Sequence, residues 1–420
     1  MPWNVSGLVD KRKKFVIDYE SGDWTMSQLC RMHGISRVSG YRVLRSWRAL
    51  GEAGLEARSR APLRHPNQTS AEIEALVLSL RREHPLWGPR KLKVLLEKRH
   101  PQLVIPAAST MGAMLDREGL AHRRRKRRHV EPYTHPFAPA VEPNDEWASD
   151  FKGWFRTGDG TRIDPLTISD TSTRYLLRCQ AVEKTDTPRV QAVFAAAFRE
   201  YGLPGAMRTD NGPPFACCGI GGLSRLAVWW IKLGIRPQRI QAGHPEQNGR
   251  HERMHRTLEQ HAANPPQANW RAQQRAMDAF RSEYNQLRPH EALDMRTPAS
   301  LYRSSPRSFP ERLPEPEYGN AVKVRRVMQH GQFFWNYNDV FLGKALAGER
   351  IGLLPIDDRY MRIYLDWYPL AKFDTHSMRV EKLRPQDQHE QQTTPSLNEQ
   401  GHGKVQIKTR FAPSHSPGDD

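Results

Sequence analysis

The sequence predicts a multidomain α/β protein in which two helix-turn-helix-like modules precede an α/β core and a small β-barrel follows it. Three observations predict this. Apolar residues recur at helical spacing over roughly the first 120 positions, short apolar strands interleave with helices from about 147 to 302, and the period becomes two beyond 314. At 420 residues the chain exceeds what a single core ordinarily organises. Lys and Arg number 64 against 46 Asp and Glu, a formal charge of +18, which favours a polyanionic partner and puts nucleic acid first. No run of about 18 apolar residues occurs and the first residues lack a signal-peptide core, so a soluble cytoplasmic protein without a membrane partner is expected. The four cysteines, Cys30, Cys179, Cys217 and Cys218, show no paired Cys/His spacing that a structural zinc or a disulfide framework would need.

Residues 1–58 read as three helices. Phe15, Val16 and Tyr19 share one face, Thr25 caps a second helix carrying Leu29 and Met32, and Gly34-Ile35 makes the turn before Ser36 caps a third. That third helix, residues 36 to about 48, turns Val43, Leu44 and Trp47 inward and leaves Arg37, Ser39, Arg42 and Arg45 to face a major groove. A plain three-helix bundle would share the pattern; the basic exposed face favours DNA. Residues 66–121 form a second helical module, winged-helix or helix-turn-helix-like. Ile73, Leu76, Val77 and Leu80 carry its first helix, Pro89 starts the next ahead of Leu92, Leu95 and Leu96, and Ser109 or Thr110 caps a last helix ending at Gly119. Residues 122–140 are a basic linker in which Arg123, Arg124, Arg125, Lys126, Arg127 and Arg128 track phosphates or serve as a solvated spacer.

The core is placed at 141–305, and a small antiparallel barrel at 315–384, where Val322 and Val324 alternate with Lys323 and Arg325 and Met361, Ile363, Leu365 and Trp367 with polar neighbours. Phe333, Trp335 and Tyr337 are read as its packing and Lys323, Arg325 and Arg326 as phosphate contacts. Residues 385–420 lack apolar period and are expected to be disordered.

Three acids sit at the ends of elements. Asp150 follows Trp147-Ala148-Ser149, a strand edge beside a hydrophobic wall; Asp210 ends Ala206-Met207-Arg208-Thr209 and precedes the turn Asn211-Gly212-Pro213-Pro214; Glu252 starts a helix after a Gly/Pro/Asn loop, with Arg253, His255 and Arg256 around it. Carboxyl ends of strands in α/β sheets are where ligands collect. Hard divalent cations take oxygen ligands, and gathered carboxylates repel one another unless cations bind. Two such ions stabilise the attacking and leaving oxygens of an in-line displacement at phosphorus.

These residues resemble a family. Trp147-Ala148-Ser149-Asp150, Arg208-Thr209-Asp210-Asn211-Gly212-Pro213-Pro214-Phe215, Asn248-Gly249-Arg250-His251-Glu252-Arg253-Met254-His255, and Tyr284-Asn285 before Arg288-Pro289-His290-Glu291 resemble the integrase-core (DDE) transposases of bacterial insertion sequences, to which retroviral integrases are more distantly related. The resemblance implies a ribonuclease-H-like core and two Mg²⁺ or Mn²⁺ ions held by Asp150, Asp210 and Glu252. It also implies cleavage of transposon end DNA followed by joining of its 3′-hydroxyls to target double-stranded DNA. It further implies that Asn211 and Gly212 shape the active-site turn, that His244, Gln247, Asn248 and Arg250 form a DNA-positioning loop, and that the protein works as a homodimer or higher synaptic complex at the bacterial nucleoid. Two features depart from the family. Helix-turn-helix units stand where retroviral integrases have a zinc module, and the stretch at 217–222 lengthens the spacing between the second Asp and the Glu. Glu246 and Glu259 compete with Glu252 as third ligand. The rival readings are a non-catalytic DNA-binding regulator on a nuclease-like scaffold and a hydrolytic nuclease without strand transfer.

Overall fold

A computed structural model of the chain describes residues 7–56, 68–121, 140–217, 219, 222–241 and 243–383. The basic run at 123–128 and the tail at 385–420 lie outside the described residues. The chain divides into two units, Met1–Ser70 and Ala71–Asp420.

In the first unit, α1 (Leu8–Glu20), α2 (Met26–Met32) and α3 (Arg37–Leu50) enclose Phe15, Val16, Leu29, Cys30, Leu44 and Leu55. The caps fall where the hydroxyls predict them. Thr25 and Gln28 form a reciprocal capping box, and Ser36 Oγ accepts from the Ser39 amide at 3.2 Å. Gly34 takes the left-handed conformation (φ +63°) that ends α2, while Ile35 N donates to Cys30 O at 2.9 Å. Met32 faces solvent; Cys30 takes the inward place instead. At Gly40, α3 crosses so closely that a Cβ would stand 2.8 Å from Cys30 Sγ and 2.9 Å from Phe15 Cζ.

The second unit begins with α4 (Ala71–Glu83), α5 (Pro89–Arg99) and α6 (Ala108–Arg117), packed around Val77, Leu80, Trp87, Leu92, Leu95, Leu96, Met111 and Leu115. Pro89 is the first residue of α5 as expected. The start of α6 is not set by Ser109 or Thr110: Ala107, extended after Pro106, is the cap, so both hydroxyls fall inside the first turn. The Arg81 guanidinium is buried and donates to Leu120 O at 2.8 Å and to Trp87 O, tying the module's end to its middle. Leu287 of the core packs into this cluster, and His84 Nδ1 lies 3.5 Å from Glu283, so the module is docked on the core.

The core sheet is mixed. Strand β1 (Glu146–Phe151) pairs antiparallel with β3 (Arg162–Asp170) and parallel with β5 (Ala206–Thr209). The short β2 (Phe155–Arg156) and β4 (Leu176–Val182) pair antiparallel with β3, and β6 (Arg236–Arg239) pairs parallel with β5. Thus β1 is central and not at an edge, because the partners on both sides come from later in the chain. Helices α7 (Thr187–Tyr201) and α8 (Arg225–Lys232) bury Phe194, Phe198, Trp229 and Trp230 against one face; the two tryptophans are core, as their helical position predicts. On the other face α9 (Gly249–Leu258) and α10 (Trp270–Ser282) cover Leu176, Cys179 and Ala181 through Met254, Leu258, Met277 and Phe280.

The outer edge of β4 is occupied by side chains. Asn285 accepts from Leu176 N at 2.8 Å and donates to Leu176 O at 2.9 Å; Gln274 does the same for Ala181 N and Cys179 O; Arg281 donates to Leu177 O. The Tyr284-Asn285 pair therefore serves the fold, and His290, packed edge-on against the Tyr284 ring and bonded to its carbonyl, fixes that pair in turn.

The C-terminal strands are β7 (Lys323–Arg326), β8 (Gln332–Trp335), β9 (Asn338–Phe341), β10 (Arg350–Pro355), β11 (Tyr360–Leu365), β12 (Tyr368–Asp374) and β13 (Arg379–Lys382). They do not close into the expected barrel. The order β13-β12-β11-β10-β7 is an open antiparallel sheet, with β8 and β9 a separate hairpin. The hairpin covers the sheet by packing, Phe333 and Trp335 lying 5.5 and 5.7 Å from the Phe373 ring, so hydrogen-bonded closure is replaced by an aromatic contact. Tyr337 is not packed there: it occupies the hairpin turn with φ +64° and is 95% exposed. Lys323 and Arg325 each stand 5.3 Å from the Trp335 ring. Trp367 Nε1 donates to Ile231 O at 2.9 Å, which joins this sheet to α8.

Among the described residues no helix is long and apolar enough to cross a membrane. Gly40→Ala is expected to destabilise the first unit by about 1–3 kcal/mol, since the new methyl meets Phe15 and Cys30 in a packed core. Chemical denaturation of the full chain, followed through Trp24 and Trp47 fluorescence, measures it; unchanged unfolding would mean that α3 sits farther from α1 than described.

Candidate active site

The pairing of β1 with β5 sets the site. Ala148 is in register with Arg208, and Asp150 and Asp210 each lie two residues beyond that pair, so the parallel register delivers both to one edge of the sheet. Neighbouring strands stand about 4.8 Å apart, which keeps the two acids adjacent. Asp210 begins the turn: Gly212 N donates to its Oδ1 at 3.2 Å, and Asn211 Nδ2 donates to Ile240 O at 2.7 Å, fastening the turn to the end of β6. A Cβ at Gly212 would stand 3.0 Å from Asp210 Oδ2, so the turn needs glycine beside the carboxylate. Asp150 Oδ2 accepts from Asn248 Nδ2 at 3.0 Å.

Glu252 lies in the first turn of α9, exposed to solvent. The three carboxylates share one field. Burial first, then the Asp210 charge and the weaker field of Glu252, push Asp150 up to about 7, and burial raises Asp210. Asp164 of β3 adds to the field on Asp150, an acid the sequence pattern did not single out. Among the described residues no three His, Cys, Asp or Glu side chains are close enough to enclose one ion, and Asp150, Asp210 and Glu252 form no ion pair. As a donor set they fit hard divalent cations: all are oxygen ligands, their mutual repulsion is uncompensated, and Asp150 is desolvated. Of the competitors, Glu259 is 3.5 Å from Lys152, and the side chain of Glu246 lies outside the described residues.

Two histidines hold α9 in place: His251, and His255, which the sequence reading expected to surround Glu252 with positive charge. His251 Nε2 and His255 Nε2 lie 2.6 and 2.7 Å from Thr167 Oγ1, and Thr167 donates to the Asp150 carbonyl at 3.1 Å. One hydroxyl has one proton and two lone pairs, so with its proton on Asp150 O both imidazoles donate from Nε2. His251 Nδ1 then accepts from Ser169 Oγ at 3.2 Å. Burial keeps both rings neutral, with His255 pushed down to about 4, so His255 adds no positive charge beside Glu252, contrary to expectation. The i, i+4 spacing of the pair on α9 was the available signal, but nothing local points to Thr167.

The loop residues divide. Gln247 is buried and exchanges side-chain bonds with Gln241, whose backbone N donates to Gln247 Oε1 at 2.8 Å; Asn248 is buried against Asp150; His244 is half-buried and Arg250 exposed. On α3, Arg37, Arg42 and Arg45 are exposed, and Ser39 is half-buried, its hydroxyl 3.0 Å from Ser36 Oγ. Val38 (68% exposed) and Tyr41 (55%) occupy the arginine face instead.

Comparison with known proteins agrees with this geometry. Two integrase core domain models match residues 140–245 and 233–298, a helix-turn-helix domain model matches 11–62, and a homeodomain-like domain model matches 39–115. The insertion element IS407 uncharacterized 31.7 kDa protein of Burkholderia multivorans is 30% identical over 244 residues, 56% of this chain and 82% of that protein. The chain belongs to the integrase-core transposases of bacterial insertion sequences. The insertion element IS476 uncharacterized 39.2 kDa protein of Xanthomonas euvesicatoria is 28% identical to this transposase over 284 residues, 66% of this chain and 78% of that protein. The HTLV-2 integrase catalytic core domain, solved in complex with magnesium, aligns over 39% of this chain and 100% of its own at 16% identity and TM-score 0.32. The simian T-cell lymphotropic virus intasome, solved with the PP2A regulatory subunit B56 gamma, aligns over 70% and 98% at 17% identity and TM-score 0.35. Similarity at those scores carries no functional argument.

Two outcomes follow for the transposase core. Thr167→Val strands two imidazole N–H groups, and should cost about 1–3 kcal/mol; Thr167→Ser should restore most of it. Thermal melting of the three proteins decides, and equal melting of all three would mean that the hydroxyl joins nothing. Asp150, raised to about 7, keeps in the folded state a proton that the unfolded chain releases above pH 4. Its contribution therefore falls as pH rises from about 4 to 7, by on the order of 2 kcal/mol after solvent screening, and is flat above. In EDTA, Asp150→Asn should melt with a shallower decline over that window than the wild type; parallel declines would remove the crowding of charge.

Proposed function

We propose that this transposase binds transposon end DNA, cleaves a phosphodiester there and joins the freed 3′-hydroxyl to target double-stranded DNA. The observation that carries the reading is the delivery of Asp150 and Asp210 to one edge of adjacent parallel strands, within the field of Glu252 and without a basic partner. Asp150, Asp210 and Glu252 would hold two Mg²⁺ or Mn²⁺ ions, which when bound supply Lewis-acid stabilisation of the attacking and leaving oxygens. The protein's own groups prepare that site. Asn248 orients the Asp150 carboxylate, the Asn211–Gly212 turn orients Asp210, and the His251–Thr167–His255 clasp positions the helix that carries Glu252.

Residues 1–58 and 66–121 would recognise the ends, 141–305 would carry the chemistry, and 315–384 would add phosphate contacts through Lys323, Arg325 and Arg326. Arg37, Arg42 and Arg45 suit phosphates and guanine edges, and Val38 and Tyr41 suit thymine methyls. The Arg123–Arg128 run would track the DNA backbone between recognition and chemistry. Two ends must be joined in concert, so the working form would be a dimer or larger synaptic complex in the bacterial cytoplasm.

The test is incubation of the full chain with element-end DNA, plasmid and Mg²⁺. Nicked and joined products are expected, and EDTA should remove both. Asp150→Asn, Asp210→Asn and Glu252→Gln should each lower turnover by at least about 10²-fold while leaving DNA binding intact, and Glu259→Gln should stay active. Full activity in any of the first three excludes that acid. Products that are nicked but never joined, even from precleaved ends, would make the protein a hydrolytic nuclease, and binding without cleavage would make it a regulator.

A further inference from the structure

Beside α9 lies a small recess, about 30 Å³, lined among others by Thr171, Arg174, Arg208, Asn248 and Arg250. Arg250 and Glu252 are two residues apart on α9, roughly 200° around the helix, so Arg250 and Glu252 face different ways, while Asn248 of the recess lining reaches the Asp150 carboxylate at 3.0 Å. The recess holds a strong excess of positive charge. Arg208 is paired with Glu146 at 2.8 Å. Asp170, the one carboxylate in the lining, is spent on Asn144 N, Ser172 Oγ, Thr173 N and Thr173 Oγ1 at 2.7–2.8 Å. Arg174 and Arg250, with Arg253 one helical turn beyond Arg250, have no carboxylate within 4 Å among the described residues.

Arg174 is an unusual place for a cation. It sits in the turn from β3 to β4 with φ +64°, a conformation that costs a non-glycine residue energy and persists only where the surroundings fix it. It is half-buried, and burial together with the charges of Arg250 and Arg253 lowers its proton affinity. Thr171, 6% exposed, lines the same recess, and its hydroxyl is turned toward the buried Glu146 carboxylate, which it steadies as a donor. Guanidiniums gathered at one recess without a carboxylate of their own form a donor set suited to an anion. His251, buried and neutral, adds no charge to it.

We infer that Arg174 and Arg250, with Arg253 at the rim, form an oxyanion site that takes one phosphate of a DNA backbone. The site adjoins the acid trio through Asn248 but uses none of the three acids, and its assignment to DNA rests on the proposed function. It would hold DNA by a phosphate other than the one cleaved, beside the helix that carries Glu252.

The test is binding of a fluorescein-labelled duplex by the full chain in EDTA, across a series of NaCl concentrations, so that no cleavage is needed. Arg174→Gln should lower the slope of log Kd against log salt by about one and weaken binding roughly three- to ten-fold at 100 mM NaCl, with Arg174→Lys intermediate. Arg271→Ala, an exposed cation on α10, removes equal charge and should do neither. An unchanged slope in Arg174→Gln, or an equal loss in Arg271→Ala, overturns the site. Arg174→Gln should also melt no lower than the wild type in phosphate-free buffer, because it relieves repulsion. A fall of more than about 5 °C would make Arg174 structural and overturn the inference. Inorganic phosphate should raise the melting temperature of the wild type more than that of Arg174→Gln, and equal rises overturn it too. Failure of the transposase reading would show in the cleavage assay and leave these binding slopes as they are.

Discussion

The parallel pairing of β1 with β5 is the constraint on which the site depends. Side-by-side strands running the same way must end on the same side, so two aspartates two residues past a registered pair meet there whatever the loops do. Their meeting is electrostatically unfavourable. Burial in the middle of the sheet makes it worse, and the elevated proton affinity of Asp150 is the visible cost. A fold that tolerates this has left room for positive charge that its own side chains do not supply at that edge.

The third acid comes from a different kind of element, and its placement is correspondingly indirect. Helix α9 follows a loop, and what fixes it is a two-imidazole grip on the Thr167 hydroxyl, whose own proton goes to the carbonyl of Asp150. One aspartate thus contributes its side chain to the site and its backbone to the anchoring of the helix opposite. The histidines act as neutral hydrogen-bond donors. Charging either ring would bury a cation away from water, and at His251 it would also put a proton on the Nδ1 that accepts from Ser169 Oγ.

The ends of β1 and β5 were legible because strong apolar residues precede each aspartate and the Asn211-Gly212-Pro213-Pro214 sequence announces a turn. The caps at Thr25 and Ser36 were legible for the same reason: the hydroxyl and the helix start are local neighbours. What escaped was set by distance along the chain. The central place of β1 depends on strands 20 and 60 residues later, approximately, and the clasp joins β3 to α9 across 84 positions. The open C-terminal sheet has the alternation of a barrel; only the position of the β8–β9 hairpin distinguishes the two. On α3 the hydroxyl pair of Ser36 and Ser39, and the exposed Val38 and Tyr41 beside the arginines, were not legible, because the helical spacing alone does not say which neighbours share a face with them.

The side chains along β4 bear on how copies of this protein can meet. An outermost strand ordinarily offers its peptide groups to any passing strand, and here Asn285, Gln274 and Arg281 have already claimed them. Continuous sheet growth from one molecule into another is blocked along that border. Copies that meet along that border have to do so through side-chain surfaces, and the Tyr284-Asn285 pair helps to keep it so.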